Sequence, residues 1–215
     1  MLCRLEERSL IKVSGEEAES FLQKIVTNDV KKSPFVYACL LTAQGRFLHD
    51  FFIRRDGNTF FLECEAMRRA DLLRRLSMFK LRAKVNIDDC DDAFDVYVAD
   101  TAPEGITAFQ DPQLPALGWR FYLPKEKRWM NAASSEAYKN LRISLGVGEG
   151  SPDIKPEGDT LANVNLDHLQ AVSWDKGCYV GQEITAMTES RGIVKKRMLI
   201  VSGGHLIEGA PLMED

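Results

Sequence analysis

The run Lys176-Gly177-Cys178-Tyr179-Val180-Gly181-Gln182-Glu183 packs a cation, a thiol, an aromatic ring, two glycines and two hydrogen-bonding side chains into eight positions. Two glycines weaken a helix or a strand, and polar side chains resist burial without partners. Such a stretch suits a tight turn that presents side chains to a ligand. Lys176 stands two residues before Cys178 and a helix is predicted just after it, and both favour thiolate. Cys178 and Lys176 are therefore the candidate reactive pair. A nucleophilic cysteine needs a base, and no spacing links His49, His168 or His205 to Cys178. A single thiolate could instead ligate a soft metal or cluster if a partner supplies the other ligands. Tyr179 could stack on a planar ligand while Gln182 and Glu183 bond a heterocycle edge. Equally, Tyr179 could plug the core and Glu183 complement the helix N-terminus.

These residues must be positioned by the surrounding elements. Alternation predicts a strand at Ser9–Val13. Ser14 with Glu17 reads as a capping box for a helix running to Val26, with Ala18, Phe21, Leu22 and Ile25 on its inner face. Strands are predicted at Phe35–Leu41, Phe47–Arg54 and Thr59–Cys64, joined by turn residues at 43–45 and 56–58. An amphipathic helix over Glu65–Phe79 turns Ala66, Ala70, Leu73 and Leu76 inward. Strands at Phe94–Ala99 and Trp119–Leu123 follow, then a helix over Ser134–Leu145 capped by Ser134 or Ser135. A breaker-rich crossing at Gly146–Asp159 leads to the motif, a short helix at Gln182–Glu189 and a strand at Ile193–Val201. Strands in hairpins interspersed with helices give an α+β class.

The 215 residues are 45% hydrophobic and 28% charged, with a net charge of −4. That balance draws the chain neither to nucleic acid nor to an anionic membrane as a whole, although a local basic patch is compatible with it. Arg68, Arg69, Arg74, Arg75, Lys80, Arg82 and Lys84 form such a segment, and most such runs are solvated faces. No apolar stretch approaches the length of a membrane span. The N-terminal residues lack the charged-then-apolar order of a signal peptide. The five cysteines are scattered, without a C-x-x-C pair, which argues against a disulfide framework or a self-contained metal cage. These features lead to the expectation of a cytoplasmic protein.

The motif resembles the signature of the YgfZ family, folate-binding relatives of the glycine-cleavage T-protein (aminomethyltransferase). The likeness extends to Phe21-Leu22-Gln23 with Thr27-Asn28-Asp29-Val30, and to Leu41-Thr42-Ala43-Gln44-Gly45-Arg46 followed by Asp50. Asp111-Pro112, Leu117-Gly118, Leu141-Arg142 with Gly146, Asn165-Leu166-Asp167, and Gly192 with Lys195-Lys196-Arg197 follow in family order. The resemblance implies ferredoxin-like α+β subdomains around a central folate-binding channel over residues 1–190. Residues 191–215 would begin a small C-terminal β-barrel that the sequence leaves incomplete. It implies tetrahydrofolate or a one-carbon derivative as ligand, and support of iron–sulfur cluster assembly or repair with effects on tRNA thiomethylation. Assembly or client proteins would be partners. Cys178 and Lys176 would carry the function, with Tyr179, Gly181, Gln182, Glu183, Asp50 and Asn28 around the folate. The chain departs from the family after the signature: Met187 stands where an arginine is common, and Glu189-Ser190 where histidines are. The alternative is a folate-dependent aminomethyltransferase, against which the Lys-Gly-Cys-Tyr signature argues.

Overall fold

Strict alternation of apolar side chains lets one strand serve two cores at once, and that sets the architecture. The computed structural model describes residues 1–190, 194, 196–201 and 203, the side chains of 188–190 excepted. In chain order it contains β1 (Leu2–Arg4), β2 (Arg8–Ser14), α1 (Ala18–Ile25), β3 (Phe35–Leu41), β4 (Phe47–Asp56) and β5 (Thr59–Glu65). Next come α2 (Arg69–Lys80), β6 (Asn86–Asp89), β7 (Phe94–Ala99), β8 (Ala108–Gln110), β9 (Trp119–Pro124), α3 (Glu136–Ser144), α4 (Gly150–Asp153) and α5 (Gln182–Ser190). Two antiparallel sheets result, ordered β3-β4-β5-β2-β6 and β1-β7-β9-β8.

Every residue of β3 is buried. Phe35, Tyr37, Cys39 and Leu41 enter the larger core, shared with the four-stranded sheet and the 147–179 crossing. Val36, Ala38 and Leu40 enter a second core under α1 and α2. A register shift at Leu40/Leu41 breaks the alternation of β4, so that Phe47 and Phe52 both reach the larger core. The layers are therefore helices, five-stranded sheet, then four-stranded sheet with the crossing. The α+β class and the six strands predicted between Ser9 and Leu123 are observed.

Local readings need three corrections. Ser14 does not cap α1: its backbone is held in the sheet opposite Thr59 and Asn86. The Glu17 carboxylate instead accepts the Lys84 N–H at 2.6 Å. In the second helix a 3₁₀ turn at Ala66–Arg68 shifts the phase, so Leu72 and Leu76 are buried and Ala70 is exposed. Val194 and residues 196–201 belong to no strand; Ile193, Lys195 and most of the expected barrel segment 191–215 lie outside the described residues.

His49 is buried on β4 with Nε2 at 2.9 Å from Asp71. Burial, aided by the Arg68 cation and opposed by Asp71, brings its pKa down to about 4. Between pH 4 and 6.5 the unfolded chain therefore binds the extra proton, and stability falls as pH drops through that window. Thermal melts should show this loss, and His49→Gln should flatten it; an unchanged slope in the variant would remove His49 as the cause.

Candidate functional site

The motif lies where the end of the crossing returns to α1 and β3. Lys176 is buried, and its Nζ donates to the carbonyls of Val26 at 2.6 Å and Asn28 at 2.7 Å. It also lies 5.3 Å from the Tyr179 ring centroid. The same turn is tied down from all sides. Thr27 Oγ1 donates to Ala171 O at 2.6 Å and accepts the Cys39 N–H at 2.8 Å. Asn28 Nδ2 donates to Tyr37 O at 2.8 Å and Gln170 O at 2.7 Å. The family residues Thr27, Asn28 and Lys176 thus form one knot joining α1, β3 and the crossing. Burial, with Asp29 opposing it, brings the Lys176 ammonium down to about 8.

Gly177 and Cys178 stand exposed between buried Lys176 and buried Tyr179. The ammonium therefore meets main-chain carbonyls and a ring, while the thiol faces solvent. Tyr179 packs in the larger core. Burial pushes its hydroxyl up to about 12, Thr185 opposing and Cys39 adding to it. Gln182 is half-buried, its N–H bonded to Tyr179 O at 3.2 Å, and Glu183 is exposed. Gly181 adopts φ +82, and a Cβ there would lie 2.6 Å from Thr42 O and 3.1 Å from Gly45 Cα. The backbone of the motif thus rests directly on the β3–β4 turn, which explains why the sequence carries glycine at both 45 and 181. His49 packs with Asp71 beside α2 and His168 is exposed; His205 lies outside the described residues. Among the described residues no cluster of ligating side chains could hold a metal ion.

Asp50 sits in a buried charge network between the two sheets. Its carboxylate accepts from Tyr37 Oη at 3.1 Å and lies 3.7 Å from Arg8. Arg8 also pairs with Glu63 at 3.1 Å and Glu149 at 3.2 Å. Arg120 pairs with Glu63 at 2.5 Å and Asp111 at 2.8 Å, and also bonds Tyr138. Arg142 of α3 reaches Glu149 at 3.5 Å and also Asp153. The sequence reading missed this network. A signal existed: Asp50, Glu63 and Arg120 each adjoin a run of three apolar residues on their strand.

One edge of the network opens into a cavity of about 300 Å³ lined by Arg8, Arg142, Glu149, Glu65, Lys139 and Pro152 among others. Glu149 Oε1 lies near Arg8 but makes no hydrogen bond among the described residues. A buried acceptor in that condition suits a ligand that brings an N–H donor.

No family model matches the chain. Three curated proteins named mitochondrial iron–sulfur cluster assembly factor IBA57, or its homologue, are similar to it. That of Pyricularia oryzae is 38% identical over 91% of this chain and 55% of its own length. That of Mycosarcoma maydis is 33% identical over 94% and 57%, and that of Mus musculus 30% over 92% and 65%. The chain thus spans between half and two thirds of these relatives. The aminomethyltransferase T of the Bartonella henselae glycine cleavage system shares its fold, with a TM-score of 0.70 and 17% identity over 88% of this chain and 63% of that one. The family likeness drawn from the motif is thereby supported at its coarser level: the homologues are IBA57 proteins, and the fold of this chain matches that of a glycine-cleavage T-protein. The cytoplasmic expectation is corrected, because the homologues are named mitochondrial and point to the mitochondrion. Dispersed free thiols report a reducing compartment and do not say which one.

Proposed function

From the IBA57 homologues and the geometry of the motif, we propose that this chain acts in iron–sulfur cluster assembly, with Cys178 as the thiol that meets a cluster or its carrier. The observation that carries this reading is the exposed Cys178, in a two-residue stretch between buried Lys176 and buried Tyr179. A thiol so held offers one ligand at a fixed place, and the remaining ligands come from a partner. Lys176 acts as a positioning residue through its carbonyl bonds. Effects on tRNA thiomethylation would follow indirectly, through cluster-dependent enzymes.

The ligand that goes with this reading is a reduced folate. The cavity beside Glu149 supports this reading at two ends: Glu149 Oε1, ion-paired with Arg8 but without a hydrogen bond, could accept from the amino-pyrimidine edge, and Lys139 could meet the tail carboxylates. Asp50 would act on that site through Arg8. Bound there, the folate would supply one-carbon carriage. The aminomethyltransferase alternative rests on fold alone, and a fold hosts many activities.

The test compares a cluster-dependent enzyme in cells lacking this protein and supplied with the wild type, Cys178→Ala or Lys176→Ala. Cys178→Ala should lose the rescue while its stability stays within about 0.5 kcal/mol of the wild type, as for an exposed substitution. Lys176→Ala should lose both. Full rescue by Cys178→Ala would end the thiol's role. Calorimetry with tetrahydrofolate, on the wild type and Glu149→Gln, tests the ligand separately; no heat well above micromolar concentration would remove folate and leave the thiol reading standing.

A further inference from the structure

The segment Met78-Phe79-Lys80-Leu81-Arg82 closes α2 with apolar side chains in solvent: Met78 is 64% exposed, Phe79 37% and Leu81 87%. Leu81 adopts φ 44, ψ −110, and the Ala83 N–H closes the turn on Lys80 O at 2.8 Å. These dihedrals belong to the first central position of a type II′ turn, where glycine is the usual residue. A leucine there bears backbone strain that glycine avoids, and its exposure returns no burial. Nothing within the fold favours leucine at this point.

The cations of the region fall into two sets. Arg68, Arg74 and Arg75 converge on Asp71, Arg69 pairs with Asp89 and Asp91, and Lys84 with Glu16. Lys24, Lys80 and Arg82 have no ion pair among the described residues. They rim a cavity of about 400 Å³ that Phe21, Ile25 and Phe79 also line. Glu17 is the one carboxylate among its described lining residues, and it is engaged by the Lys84 N–H.

The geometry points to an anionic membrane surface as the occupant of this tip. Leu81, Phe79 and Met78 would enter the apolar boundary while Lys24, Lys80 and Arg82 meet lipid phosphates, the pairing by which peripheral proteins hold an interface. The attachment proposed is peripheral, and no described helix is long and apolar enough to cross a membrane. An acidic peptide would match the cations but would cover Leu81 and Met78 only by wrapping the tip. The chain's net charge of −4 confines binding to this face and makes it salt-sensitive.

The test is co-flotation of the full chain with phosphatidylcholine vesicles, alone or with about a third anionic phospholipid. The wild type should float with the anionic vesicles only. K80A/R82A should lower partitioning about thirtyfold, from the usual contribution of each cation near such a surface. Leu81→Gly should lower it about tenfold while its melting temperature holds or rises, because the turn strain is relieved. Absence of wild-type flotation, or equal flotation of all three proteins, overturns the proposal. Binding to polyglutamate without binding to vesicles would also overturn it and assign the tip to an acidic protein.

Discussion

Replacing Arg120 by methionine should destabilise the fold by about 3–5 kcal/mol, the usual loss when one partner of a buried ion pair is removed. Arg120 is fully buried; it holds Glu63 at 2.5 Å and Asp111 at 2.8 Å and lies 3.8 Å from the Phe52 ring centroid. Methionine would keep much of the contact with Phe52, so most of the loss would report Asp111, left without its cation, and Glu63, left with Arg8 alone. Burial already pushes both carboxyls up, with Arg120 opposing it. Without that cation their folded pKa values rise further, and the folded state binds more protons than the unfolded chain above the ordinary carboxylate range. The deficit of Arg120→Met should therefore grow as pH rises from about 4 toward neutrality and shrink in acid. Denaturant titrations at several pH values would show it. A deficit below about 1 kcal/mol at neutral pH, or one independent of pH, would mean that the network is not the electrostatic unit its geometry describes.

Four strands of the larger sheet were legible because short apolar and aromatic runs and the turn residues between them act over a few positions, as from Phe35 to Glu65. Ends were less so. Ser14 satisfies a capping pattern, yet pairing with Asn86 claims its backbone, and Asn86 is remote in sequence. The short strands β1, β6 and β8 owe their existence to partners in the same way. At the site, the glycines and polar residues marked the motif, but the direction of each side chain was not local information. Lys176 next to Cys178 suggested an ammonium acting on a thiol. The acceptors that the ammonium meets belong to Val26 and Asn28, which only the folded chain brings near. The Arg8–Glu63–Arg120 network was hidden for the same reason: its members lie on three strands from both sheets, and each looks like an isolated charge in its own segment.

The two glycines of the motif should respond in opposite ways, and their contrast separates folding from function. Gly181→Val should lower stability by about 3 kcal/mol or more, joining the left-handed strain of an L-residue to a clash with immobile backbone. The obstacle is Thr42 O, which already accepts the Gly45 N–H at 2.9 Å, while the Thr42 N–H bonds Arg46 O at 2.8 Å. That turn cannot retreat without breaking its own bonds, so the loss should appear in the melting temperature and carry the proposed cluster function with it. Gly177 has no positive φ, and a Cβ there meets nothing within 4 Å. Gly177→Val should therefore leave stability within about 0.5 kcal/mol of the wild type. If Cys178 is approached closely by a cluster carrier, the same variant should nevertheless lose rescue of cluster-dependent enzymes, because the added methyls stand beside the thiol. Full rescue by a stable Gly177→Val would show that the partner does not come close on that side, and would move the contact to the other flank of Cys178. The fold explains glycine at 181 and gives no reason for it at 177. An approaching partner would supply that reason.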